Sequence, residues 1–292
     1  MLHKIENDYL QVTISEQGAE LQSILAADGT EYLWQGDPKY WKGRALNPFP
    51  YVAQLTNGCY ELDGQQYCMK IHGFAPYSHF TATKRSEEEI VFSLSDNNET
   101  RKQYPRKFLF NICYHLKRNV LQITYDVVNN DSKTMYFGLG GHPGFNVPLV
   151  KGKSFEDYRI SFSQSCHPER VGFSPSNFLD GSSSLFKLEG DKQLSLKHGM
   201  FDDGVIVLKN TTKELAIETD GDRHSVSIMF PGMEYLGLWH MPRTDAPYVC
   251  VEPWVSLPST QGEIAVFEKQ RDLVSLRPQE QYKNIWKIQV NW

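Results

Sequence analysis

The chain is poor in positive charge, in helical periodicity and in every compact motif that holds a metal, a phosphate or an acyl group. Lys and Arg number 30 against 35 Asp and Glu, a net charge of −5 over 292 residues. A mildly acidic surface has no field for gathering polyanions, so nucleic acid is excluded as an expected partner. The five cysteines, Cys59, Cys68, Cys113, Cys166 and Cys250, include no CxxC pair and are odd in number. That scatter argues against structural zinc and against a disulfide framework, and so for a reduced protein. Nine histidines are present, yet none falls in an HExxH or HxH arrangement. No metal and no cofactor is therefore expected. Gly138-Leu139-Gly140-Gly141 continues into neither phosphate-binding glycine pattern, and the GxSxG elbow of hydrolases is missing. No run approaches 18 apolar residues, and the start, Met1 to Asp8, has no apolar signal-peptide core. The expectation is a cytoplasmic protein without a membrane segment. Nothing resembles a linker or an internal repeat, which leaves one domain over residues 1–292 in place of the two that length alone suggests.

What is abundant is alternation. Leu10, Val12 and Ile14 alternate with polar neighbours, as do Leu121, Ile123, Tyr125 and Val127. Val226, Ile228 and Phe230 repeat the pattern, and Ile288, Val290 and Trp292 close the chain with it. A period of two puts one face of a strand on a core and the other towards water. Turn signals such as Asp28-Gly29, Asn57-Gly58, Asp63-Gly64, Asp180-Gly181 and Asp220-Gly221 separate the runs, and Ser182–Ser184 reads as part of a loop. Helical signals are confined to Asp37–Trp41, where Asp precedes Pro at a first helical position, and to Asn98–Gln103 before Pro105. The reading is an all-β protein, antiparallel sheets packed as a sandwich with only short helices. Aromatic residues are 13% of the chain, a surplus that suits both pleated sheets and the C–H faces of sugars.

Three segments depart from ordinary strand-and-turn sequence: Lys70-Ile-His-Gly-Phe74, Gly140-Gly-His-Pro-Gly-Phe-Asn146 and Val249-Cys-Val-Glu-Pro-Trp254. Each brackets one titratable group with Gly, Pro, aromatics or an apolar strand end, which fixes the backbone and strips water from the polar group. His72 reads equally as a hydrogen-bonded turn residue, and Glu252 as half of an ion pair with an Arg. Taken together, His142 and Glu252 offer an acid and a base that work near neutral pH. Opening a pyranose ring needs one proton delivered to the ring oxygen and another removed from the anomeric hydroxyl. A glycosidase, which requires two carboxylates, is the competing chemistry.

The chain resembles the aldose 1-epimerases, or galactose mutarotase-like proteins, of the LacX-type branch, over nearly its whole length. The resemblance rests on Asn47-Pro-Phe-Pro-Tyr-Val-Ala-Gln54, Ile71-His-Gly-Phe-Ala75, Gly140-Gly-His-Pro-Gly-Phe-Asn-Val-Pro148, Phe201-Asp-Asp-Gly-Val205, Leu236-Gly-Leu-Trp-His240 and Cys250-Val-Glu-Pro-Trp254. It implies a large antiparallel β-supersandwich whose concave face binds a monosaccharide, in a monomer or homodimer. By the same resemblance His142 is the general acid at the ring oxygen and Glu252 the base at the anomeric hydroxyl. His72 and Asp203, or Asp202 one residue earlier, would position the sugar, with Gln54, Phe74 and Trp239 beside them. Gln54 and Pro76 stand where the family commonly has Arg, which removes two bidentate donors. The alternatives on this scaffold are a sugar-binding protein without turnover and a hexose-6-phosphate mutarotase. Lys42, Arg44, Lys70 and Arg243 are the basic candidates for the latter.

Overall fold

The computed structural model describes residues 1–292. The alternating segments form the strands expected of them: Leu10–Ser15, Val120–Asn129, Ser225–Met229 and Gln281–Asn291. The last three lie in a nine-stranded antiparallel sheet, ordered Gln193–Ser195, Tyr158–Phe162, Glu214–Thr219, Ser225–Met229, Gln281–Asn291, Val120–Asn129, Phe108–Lys117, Glu89–Ser95 and Thr81–Lys84. A seven-stranded sheet runs Leu179–Leu185, Glu169–Phe173, Ile206–Lys209, Tyr235–Trp239, Tyr248–Trp254, His142–Asn146 and Ala45–Leu46. Every pairing in both sheets is antiparallel.

The two sheets bury their facing sides in one cluster of 63 apolar residues. Leu121, Ile123, Tyr125 and Val127 enter it from the larger sheet, and Phe145, Leu236, Leu238, Val249 and Val251 from the smaller. This large antiparallel sandwich is the architecture that the alternation and the resemblance led us to expect. The polar link between layers is small: the Tyr125 hydroxyl donates to Asn47 Oδ1 at 2.8 Å and lies 3.1 Å from Gly140 O. The short helix Asn98–Gln103 forms as anticipated, capped by the Asn97 side chain.

Four local expectations need correction. Asp37–Trp41 makes one hydrogen-bonded turn instead of a helix: Tyr40 and Trp41 N–H both return to Asp37 O and no further turn follows. Asp180-Gly181 and Ser182–Ser184 are not a loop but lie inside the edge strand Leu179–Leu185. Ladder bonds to Glu169–Phe173 hold that strand, and tertiary pairing overrides the turn preference of its residues. Cys59 and Cys68 form a disulfide, against the expectation of free thiols throughout. They are directly opposed in the hairpin of Cys59–Leu62 and Gln65–Cys68, a proximity that a spacing of nine residues does not announce. The other three cysteines are free. No helix is long and apolar enough to cross a membrane.

Candidate active site

The second face of the seven-stranded sheet carries the histidine and carboxylate singled out by the sequence, and strand alternation decides which residues reach it. In Tyr248–Trp254 all seven residues are buried. Val249 and Val251 point into the sandwich. Tyr248 and Cys250 instead pack with Trp34, Trp41 and Trp239, and Trp254 with Val52 and Val207. Glu252, in phase with those three, therefore stands on the outer side. The same phase sets Phe145 in the core and His142 outside, and Leu236 and Leu238 in the core with Trp239 outside. Gly237 lies directly across from Glu252. A Cβ there would come within 3.0 Å of the Trp254 ring and 3.2 Å of Glu252 Cβ, so glycine leaves the carboxylate its room.

The outer face is roofed, and the roof desolvates the site. The turn after Asp37 brings Trp41 over His142, with ring centroids 4.9 Å apart and planes inclined by 28°. Trp239 meets the same imidazole edge-on at 5.9 Å. Trp34 holds this turn by donating its indole N–H to Trp41 O at 2.9 Å. On the other wall His72 and Gly73 are two successive residues with positive φ, 64° and 75°. Gly73 is obligatory there, because a Cβ would lie 2.2 Å from Phe49 O. This corner turns the His72 ring to 5.3 Å from that of His142, nearly perpendicular.

His142 Nε2 lies 3.2 Å from Glu252 Oε2. Glu252 has no Arg partner; its only ionic partner is this histidine, which settles the alternative left open by the sequence. Both groups are almost fully buried, 7% and 1% exposed. Burial, with His72 close by as a secondary influence, lowers the His142 pKa well below 6.5, and burial raises that of Glu252 well above 4.5. Both effects favour uncharged partners, carboxylic acid and neutral imidazole, and the 3.2 Å contact is made with one proton between the two groups. His142 Nδ1 is buried without a partner. His72 is also neutral, its pKa lowered to about 4 by burial. Its Nδ1 accepts from Ala53 N–H at 3.1 Å, which fixes the tautomer with hydrogen on Nε2. His72 is thus a neutral hydrogen-bond donor beside the acid–base pair.

These groups line a cavity of about 510 Å³, together with Trp41, Gln54, Trp239 and Trp254. Of the residues expected at the site, it collects His142, Glu252, His72, Gln54 and Trp239. Gln54 is tethered rather than free: its amide donates to Ser176 O and, at 3.0 Å, to Asn177 O. Asp203 is not among the groups around His142 and Glu252; it lines a neighbouring cleft. Phe74 does not reach the cavity at all, because its ring packs inward on Phe49 and Phe108. Pro76 is buried at the start of the short turn Ala75–Tyr77. Trp41 was missed by sequence reading; its only signal was an aromatic following an Asp-Pro turn. His142, Cys250 and Glu252 are the one set able to bring three metal-ligand atoms within 4.8 Å of one another. Burial holds the Cys250 thiol well above its usual pKa, and a protonated thiol is a poor ligand.

The sequence profile of the aldose 1-epimerase family matches residues 1–289. The chromosomally encoded protein LacX of Lactococcus lactis subsp. lactis is 29% identical over 299 residues, covering 99% of both chains. A galactose mutarotase related enzyme from Lactobacillus acidophilus superposes with a TM-score of 0.94 at 32% identity, over 99% of this chain and 97% of its own. A galactose mutarotase-like protein from Lactobacillus casei gives the same TM-score at 30% identity, over 99% of this chain and 100% of its own. With its sandwich, its buried histidine–carboxylate pair and a match from end to end, the chain belongs to the aldose 1-epimerase family of isomerases.

Proposed function

We propose that the protein interconverts the α and β anomers of an aldohexose by ring opening and reclosure, with His142 as general acid and Glu252 as general base. The observation that carries this reading is the 3.2 Å contact of His142 Nε2 with Glu252 Oε2 inside a cavity open to solvent. The ring oxygen and the anomeric hydroxyl are bonded to the same carbon. The two groups that serve them must therefore sit a few ångströms apart, as these do.

The cycle begins with a proton shift across that contact, giving imidazolium and carboxylate without changing the proton count. Glu252 takes the proton of the anomeric hydroxyl, the bond from C1 to the ring oxygen breaks, and His142 Nε2 protonates the departing oxygen. The products are the open-chain aldehyde, a carboxylic acid and a neutral imidazole. That is the protonation state burial favours, so the site levels the intermediate against the cyclic sugar. Rotation about C1–C2 exposes the other carbonyl face, and reclosure with the protons reversed gives the other anomer. The neutral His72 Nε2–H supports the ring oxygen without adding a positive charge that would oppose the imidazolium. Trp41 and Trp239 offer flat apolar faces to the sugar's C–H bonds. Asp203, in the adjoining cleft, receives hydroxyls remote from C1, and the whole chain acts as a single domain.

The test is the rate at which fresh α-glucose or α-galactose reaches its equilibrium rotation in a polarimeter. The wild-type protein should accelerate it, and His142→Ala should remove most of the acceleration while leaving the β-sheet circular dichroism unchanged. Binding of hexose by calorimetry without acceleration would instead identify a sugar-binding protein on this scaffold.

A further inference from the structure

We infer that the Cys59–Cys68 disulfide is a redox-controlled positioning element for His72: a dithiol reductant opens it, and the reduced protein presents His72 less firmly to the cavity. Its effect on turnover rests on the ring-opening reading above; its effect on the backbone does not. The two cysteines face each other at the base of the hairpin Cys59–Leu62 and Gln65–Cys68. Past that base, residues 53–58 and 69–72 remain linked. Met69 N–H donates to Gly58 O at 2.9 Å, and His72 N–H to Ala53 O at 2.8 Å. Ala53 N–H in turn donates to His72 Nδ1 at 3.1 Å. The disulfide thus closes one end of a frame whose other end sets the His72 ring.

This frame depends on its ties. Ala53, Asn57 and His72 all hold left-handed backbones, with φ of 56°, 56° and 64°. Residues with a Cβ stay in that region only where their surroundings over-determine it. On its far side His72 is tied to Phe49, whose N–H reaches His72 O at 3.1 Å. Towards the hairpin, Lys70 and Ile71 are exposed and supply no core packing, so Met69 and the disulfide hold that side. The hairpin itself has other anchors. Tyr60 and Leu62 lie in the core, and Arg106 and Lys133 hold Asp63 at its tip, at 3.1 and 2.8 Å. Opening the disulfide therefore loosens the stretch that leads to His72 and leaves the strands in place.

The bond is open to exchange, because Cys68 is exposed whereas Cys59 is buried. A thiolate of the dithiol attacks Cys68 Sγ, the bond to Cys59 Sγ breaks, and Cys59 leaves as a thiolate that takes up a proton. The second thiol of the reductant, once deprotonated, attacks its own sulfur in the mixed disulfide, and Cys68 leaves and is protonated in turn. Two protein thiols replace the disulfide, and the dithiol becomes a disulfide, with two electrons and two protons transferred.

The protein is to be compared in oxidised form and after dithiothreitol, by mass spectrometry of alkylated thiols, amide hydrogen exchange and polarimetry of α-glucose. Reduction should raise the free thiols from three to five and speed exchange across residues 69–73. KM should rise about fivefold at nearly constant kcat, the worth of one neutral hydrogen bond. Cys68→Ser should show the raised KM and the fast exchange without reductant, and no response to dithiothreitol. Five free thiols in the oxidised protein would overturn the inference. So would a urea midpoint lowered by reduction while KM and exchange at residues 69–73 stay unmoved, since the bond would then be structural only. Faster exchange on reduction in a protein that accelerates no sugar would support the redox element and overturn the ring-opening reading.

Discussion

Replacing Glu252 by Gln separates the packing of the carboxyl group from the proton transfer proposed for it. Glu252 is 1% exposed, and its one ionic contact is His142 Nε2 at 3.2 Å. Gln has the same shape and its amide can hydrogen-bond that nitrogen. Burial favours the uncharged carboxyl group, raising its pKa well above 4.5. The substitution therefore strands no charge, and the stability cost should stay within ~1 kcal/mol, the net worth of one hydrogen bond. Removing one partner of a buried ion pair would cost ~3–5 kcal/mol instead. Activity should respond very differently. An amide cannot take a proton, and a lost general base costs ~10²–10⁴ in rate.

Polarimetry from α-glucose gives kcat/KM, and urea denaturation followed by tryptophan fluorescence gives stability. The expected pattern is a loss of at least ~100-fold in rate with an almost unmoved midpoint. Adding His142→Gln to Glu252→Gln should then cost little more, since two groups that pass protons in one event behave as a unit. A Glu252→Gln enzyme within about threefold of the wild type, or a double variant whose losses multiply, would refute the paired mechanism.

Catalysis needs one proton on the pair: at low pH both groups hold one and the base is lost, and at high pH neither does and the acid is lost. Burial moves the His142 pKa down from 6.5 and the Glu252 pKa up from 4.5, so protonation of the neutral imidazole sets the acid limb and loss of the carboxyl proton the alkaline one. The kcat/KM profile should have its acid limb below pH 6.5 and its alkaline limb above pH 4.5; an acid limb at or above 6.5 would contradict the assignment. Gly73→Ala adds a methyl 2.2 Å from Phe49 O at a φ of 75°. Strain and overpacking should lower stability by ~2–4 kcal/mol in urea titrations and raise KM by displacing His72. At the surface, burial works to lower the His224 pKa, but Asp222 and Asp28, 2.5 and 2.9 Å away, raise it above 6.5. A raised folded-state pKa stabilises fully below the unfolded value and is lost as pH rises through the folded one. Asp28→Asn should thus lower the urea midpoint at pH 6 and leave it unchanged at pH 9.

The fold was legible because an antiparallel sandwich writes its core in period two. Leu121, Ile123, Tyr125 and Val127 fall on one face in the sequence, and all four are buried in the sandwich. Where both faces of a strand are covered, or neither is, that signal vanishes. Leu179–Leu185 is an exposed edge strand with polar residues on both sides, so its Asp-Gly and Ser run reads as loop. The Cys59–Cys68 pair escaped because opposition across a hairpin depends on register, which the Asp63-Gly64 turn fixes only once both strands are assigned.

The site shows the same limit from the other side. In Tyr248–Trp254 apolar residues occupy both phases, Tyr248 and Cys250 as well as Val249 and Val251, so periodicity cannot say which face Glu252 takes. Bracketing by glycine and aromatics located the segments that matter, yet it could not separate His72, which turns to the cavity, from Phe74, two residues on, which packs on Phe49. That choice is made by the left-handed corner at His72 and Gly73, a backbone feature the sequence marks only with one glycine. The missing information concerns what roofs the sheet. The outer side of a sandwich strand usually meets water and is polar. Here it is buried, because Trp41 arrives from a turn about 100 residues before the histidine it covers. That distant aromatic covers His142, and burial lowers the pKa of His142 as it raises that of Glu252. The residues proposed as acid and base are therefore readable from local motifs, whereas their burial depends on a contact that becomes visible only when the chain is folded.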